Sequence, residues 1–163
     1  MTEPVSPGPE LRFFRPMREL RRQLQPHAPT GHVAESAPVL FSFPATRSAQ
    51  GPDLYVADLA AFEREGRHAD AGALSLVAEF TSVAKRGPDK SERLDAYGRL
   101  VPVCLVVEMP GARRDQGSEI TCLSGPSPNG YRSRTAVSFW APLRIPEPFG
   151  FELDTSTFAA AGS

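Results

Sequence analysis

From Glu10 to Gln25, Leu11, Phe14, Met17, Leu20 and Leu24 recur at three- and four-residue steps among Arg12, Arg15, Arg18, Arg21 and Arg22. That spacing predicts an amphipathic helix with one packed face and one basic face. Pro26 and Pro29 end it, because proline has no N–H to give and its ring collides with the preceding turn. His27 and His32 fall in the Pro/Gly-punctuated stretch behind the helix and read as ordinary loop histidines. Val39–Phe43 reads as a short strand closed by Pro44, and Thr46–Pro52 as a turn. Leu54–Val56 is a brief apolar strand directly behind Pro52-Asp53. Leu59–Glu65 suggests a helical turn, and Ala73–Phe80 is a second apolar strand with one carboxylate, Glu79, near its end.

Asp89 can cap a helix with Glu92 three residues on, and Leu94 and Tyr97 are spaced to pack as that helix runs to Leu100. Val101–Glu108 is nearly all apolar, which suits a central strand covered on both faces. Ser118–Leu123, Tyr131–Phe139 and Leu143–Ile145 read as further strands, separated by turns such as Pro128-Asn129-Gly130. Glu147–Phe158 is expected to be irregular, with Phe149, Phe151, Leu153 and Phe158 sealing an edge. Interleaved strands and helices give an α/β class bordering on α+β. The expected organisation is a loose arm at 1–9, where three prolines interrupt any period, one domain at 10–158 and a tail at 159–163.

A chain of 163 residues is the size of one domain able to bury a core. Its net charge of -1 gives no overall attraction to nucleic acid, so any DNA contact must come from a local patch. The arginine face of the first helix is either such a stripe or, more ordinarily, a solvated surface. No apolar run approaches the roughly 20 residues that span a bilayer, and the Met-Thr-Glu-Pro start lacks a signal-peptide pattern. A cytoplasmic protein without membrane partners is therefore expected. Cys104 and Cys122 each sit in an apolar strand-like run and read as buried core thiols. No paired histidines stand near them to build a zinc cage.

The candidate chemistry lies around Asp53 and Glu79. One opens a short strand and the other closes one, so if the strands are neighbours their carboxylates converge where a hard divalent cation could bind. Mg²⁺ held there could polarise a phosphodiester and activate a water. Lys90, Arg93 and Tyr97 are three and four residues apart and project from one side of the following helix, where the two cations, Lys90 and Arg93, could bring positive charge to a phosphate. The same residues also suit a turn aspartate and a strand-end glutamate in a salt bridge.

The ordered set GPDLYVAD, LVAEFTS, PDKSERLDAYGRLVPVCLVVE and LRIPEPFGFELDTSTF resembles the Uma-type family of restriction-endonuclease-like proteins, a bacterial domain of unknown function. The resemblance spans about Phe41 to Phe158. It implies the PD-(D/E)XK nuclease fold, a central mixed β-sheet flanked by helices, often in a homodimer. It also implies a DNA endonuclease using Mg²⁺ or Mn²⁺, with Asp53 and Glu79 as metal ligands and the helix cation, Lys90 or Arg93, completing the catalytic set. Asp89, Arg93 and Tyr97 fall where the family commonly has Asp, Lys and Tyr. Several departures accompany the match. The wider superfamily has a lysine two residues after the glutamate, where this chain has Thr81. Arg93 stands in place of the family's helix lysine and cannot serve as a base. A residue is missing in Gly98–Pro102, and where the family typically begins with a strand pair this chain reaches the basic helix almost at once. The alternative reading is an impaired or inactive nuclease fold that binds nucleic acid or protein.

Overall fold

The computed structural model describes residues 11–82, 88–110 and 117–158, and the side chains of all of these except 88–91. The arm expected at 1–9, the tail expected at 159–163 and the side chains of Asp89 and Lys90 lie outside the described residues.

The described residues open with a 3₁₀ turn at Leu11–Phe13 and helix α1, Phe14–Leu24. Strands follow as β1 (His32–Glu35), β2 (Leu40–Phe43), β3 (Ser48–Gln50), β4 (Leu54–Asp58), β5 (His68–Asp70) and β6 (Leu74–Thr81). Helix α2 spans Pro88–Gly98, and β7 (Val103–Glu108), β8 (Glu119–Ser124), β9 (Ser133–Ser138), β10 (Leu143–Ile145) and β11 (Phe151–Leu153) follow among the described residues. The main sheet has six strands in the order β1-β4-β6-β7-β8-β9. Its β6 and β7 are parallel and its other pairs antiparallel, so the sheet is mixed. A parallel pair needs a crossover, and α2 supplies it. A three-stranded sheet (β3-β2-β5) and the pair β10-β11 lie apart from it.

Side-chain alternation along the central strands sorts the core into two layers. Leu76, Ala78 and Phe80 of β6 and Val103, Leu105 and Val107 of β7 pack with Leu20 and Leu24 of α1. Val77 of β6 and Cys104 and Val106 of β7 pack instead with Ala96 and Tyr97 of α2 and with Phe41 and Phe43 of β2. The two helices therefore cover opposite faces, and every residue of β7 is buried, as the unbroken apolar run predicts. Both cysteines are buried free thiols. No helix among the described residues is long and apolar enough to cross a membrane.

Helix α1 departs from its expected phase. Leu11 and Phe14 are 92% and 68% exposed, while Phe13, Pro16, Leu20 and Leu24 are buried. Positions 13, 17, 20 and 24 form the packed stripe, at steps of four, three and four. The tighter 3₁₀ winding at Leu11–Phe13 turns Leu11 off that stripe. On the basic side, Arg22 pairs with Glu19 at 2.8 Å and Arg21 with Glu35 at 3.2 Å, so part of the arginine row is engaged within the fold.

Four strands go beyond the sequence expectation. β1 begins at His32, which is thus a strand residue whose Nδ1 lies 3.0 Å from Ser75 Oγ. β3 replaces the expected turn, β5 runs parallel to β2, and β11 pairs with β10 in the segment expected to be irregular. Each has only three or four residues, too few to show a period, and is fixed by its partner. Leu59–Phe62 forms a 3₁₀ turn, with the Asp58 carboxylate accepting from Ala60 N at 3.0 Å.

Candidate functional site

Asp53 precedes Leu54, and in the antiparallel β4–β6 ladder Leu54 stands opposite Ala78. One step further along the same register faces Asp53 with Glu79. The hydrogen bonds agree: Phe80 N donates to Asp53 Oδ2 at 2.8 Å, and Asp53 N donates to Glu79 Oε2 at 3.4 Å. Glu79 alternates with Val77 on the side of the sheet covered by α2. Arg93 and Tyr97 lie one helical turn apart on α2 and reach the same carboxylate from above. Arg93 Nη1 stands 2.7 Å from Glu79 Oε1, and Tyr97 OH donates to Oε2 at 3.1 Å.

These four residues form one constellation with a buried end and an open end. Glu79 is 6% exposed and Tyr97 is fully buried, with the Phe43 ring packed against Tyr97 at 5.6 Å. Asp53 and Arg93 are half-buried. Burial and the nearby Asp53 charge push the Glu79 carboxyl up from 4.5 to about 7, although Arg93 and Tyr97 pull it down. Burial raises Asp53 too, against the opposing effects of the Phe80 N–H and of Arg93. Burial and the Glu79 charge raise the Tyr97 phenol, which stays a hydrogen-bond donor. Two close carboxylates with one guanidinium, paired to Glu79, leave negative charge incompletely compensated, which favours a further cation or a proton.

The donor set suits Mg²⁺ or Mn²⁺. Two carboxylates are hard oxygen ligands, and Mg²⁺ is commonly held by one or two carboxylates while keeping several waters. Asp53 Oδ1 has no hydrogen-bond partner among the described residues. No group of three or more His, Cys, Asp or Glu among them is arranged to hold a metal.

Of the residues singled out from sequence, Asp53, Glu79 and Arg93 come together. Lys90 belongs to α2, and its side chain lies outside the described residues. Thr81, two positions after Glu79, donates its hydroxyl to Ser82 O at 3.0 Å. His27 stacks on Phe151 at 4.1 Å, in the part of the molecule covered by α1. Sequence reasoning placed Tyr97 at a packing position, on the helix side of Arg93 and where the family has Tyr. It gave the residue no part in holding Glu79, although the four-residue step from Arg93 was the available sign. It also passed over Glu108, a 9% exposed carboxylate at the end of β7, opposite Thr81 and on the same sheet face as Glu79. The sign there was a charged residue closing an otherwise apolar central strand.

No family model and no curated protein matches this chain. Among solved structures, it is similar to one from Anabaena variabilis described as a "putative nuclease belonging to DUF820". The TM-score is 0.64 at 12% sequence identity, with 93% of this chain and 82% of that chain covered. At that identity the likeness shows that the two chains share a fold.

Proposed function

We propose that this chain is a Mg²⁺-dependent endonuclease of the Uma-type family that hydrolyses phosphodiester bonds of DNA in the cytoplasm, with Mn²⁺ able to replace Mg²⁺. The observation that carries the proposal is the meeting of Asp53, Glu79 and Arg93 at adjacent strand ends under α2, Arg93 Nη1 being 2.7 Å from Glu79. Asp53 and Glu79 would hold the ion, whose chemistry there is to polarise the phosphate and lower the pKa of a water. Tyr97 keeps the Glu79 side chain in one orientation through the bond to Oε2. Arg93 carries a permanent charge and a planar fork of donors, so it stabilises the negative charge that develops on the phosphate and takes no proton. The described residues thus supply ligands, orientation and charge, while Lys90 is the remaining candidate for a second cation.

The test is a supercoiled-plasmid nicking assay with Mg²⁺ or Mn²⁺. The proposal expects nicking by the native sequence and its loss in Asp53→Ala and in Glu79→Ala. Cutting that persists in both variants overturns the assignments.

One observation favours a second reading. Both oxygens of Glu79 already have protein partners, Oε1 with Arg93 and Oε2 with Tyr97, as expected of a nuclease fold retained for binding. Salt-sensitive DNA binding without cleavage in any divalent metal supports that alternative.

A further inference from the structure

The Arg93 guanidinium stands on an oxygen that the proposed cation would use. Three features make this contact exchangeable rather than fixed. Glu79 is held in place independently of Arg93, because Oε2 accepts from Tyr97 OH at 3.1 Å and from Asp53 N at 3.4 Å. Departure of the guanidinium from Oε1 therefore leaves the carboxylate where it is. The Arg93 side chain is also the open member of the pair, 37% exposed against 8% for the Glu79 side chain. It has a way out to solvent that Glu79 lacks. Finally, Asp53 presents Oδ1 without a partner among the described residues, beside a carboxylate engaged by a cation that an ion of higher charge could replace.

We infer that Arg93 is an exchangeable resident cation: it occupies Glu79 Oε1 in the metal-free protein and yields that oxygen to a divalent ion as its guanidinium turns to an anionic phosphodiester. This inference rests on the metal site proposed above and adds its regulation. A guanidinium binds phosphate and carboxylate with the same bidentate geometry, so the two acceptors compete for it. Metal and phosphate both favour the released arginine, and linkage requires each to tighten the other. The protein then holds metal weakly until a phosphate backbone is present, which confines the loaded site to the nucleic-acid complex.

The test is Mn²⁺ binding, read as loss of the free-ion electron paramagnetic resonance signal, for the native chain and for Arg93→Gln, Asp53→Asn and Glu79→Gln. Sodium sulfate serves as the phosphodiester stand-in at ionic strength matched with chloride, with a protein-free blank for ion pairing. Arg93→Gln is expected to bind Mn²⁺ about tenfold tighter than the native chain, and sulfate to tighten binding about fivefold in the native chain but not in Arg93→Gln. Equal or weaker Mn²⁺ binding by Arg93→Gln, with binding lost in Asp53→Asn and Glu79→Gln, overturns the exchange and leaves the metal site standing. Unchanged Mn²⁺ binding in Asp53→Asn and Glu79→Gln overturns both. If Arg93→Gln does not fold, the sulfate titration of the native chain decides, and no tightening overturns the exchange.

Discussion

Glu79→Gln separates the charge of the buried carboxyl from its shape. The folded chain pushes this group from 4.5 to about 7, so between those values the native state holds a proton that the unfolded chain has released. Stability follows the difference in bound protons, and here it falls as pH rises. The contribution is complete below about pH 4.5 and is lost as pH passes through about 7. At 1.36 kcal/mol per unit, the shift corresponds to about 3 kcal/mol lost between pH 4.5 and 8. Glutamine keeps the volume and does not titrate, while Arg93 stays charged throughout, so its lost partner is a constant offset. Urea unfolding followed by far-ultraviolet circular dichroism at several pH values gives the comparison. The unfolding free energy of the variant minus that of the native chain is expected to move by about 3 kcal/mol in the variant's favour from pH 4.5 to 8. A difference that is flat with pH, or that moves the other way, refutes the reasoning that burial and Asp53 outweigh Arg93 at Glu79.

Further outcomes follow from the same contacts. Tyr97→Phe removes the hydroxyl donor to Glu79 Oε2 and is expected to cost about 2 kcal/mol at pH 8, where the acceptor is charged, and less at pH 5, as measured by urea unfolding. Leu20→Ala, at a fully buried position of the α1 stripe, is expected to cost about 2–5 kcal/mol. Phe14→Ala, at a largely exposed position, should stay within about 0.5 kcal/mol, and thermal melts of the two variants check the phase of the helix. Gly98→Ala brings a Cβ to 3.1 Å from Gly130 Cα and 3.2 Å from Tyr131 N, so a loss of about 1–3 kcal/mol is expected where the end of α2 meets the β8–β9 turn.

The long buried strands were readable because their apolar runs exceed what a turn or an edge can hold. Ala73–Phe80 and Val101–Glu108 are seen as β6 and β7 within two residues at each end. Short strands such as His32–Glu35 and His68–Asp70 were not readable, since their identity comes from β4 and β2 across the fold rather than from a local period. The phase of α1 was misjudged because Leu11 and Phe14 imitate an apolar stripe that Phe13 and Leu20 actually form. Asp53 and Glu79 were singled out from sequence, but their encounter depends on strand register, which no spacing in the chain encodes. Arg93 was identified as a cation on the correct helix. Its pairing with Glu79, rather than a position open to phosphate, follows from how α2 lies on the sheet.

The most direct measurement is crystallographic: native crystals soaked in Mn²⁺ and examined by anomalous diffraction. The account predicts an anomalous peak in contact with a carboxylate oxygen of Asp53 and one of Glu79, with the Arg93 guanidinium displaced from Oε1. Absence of a peak there, with Arg93 still paired to Glu79 in crystals that admit the ion elsewhere, would contradict it.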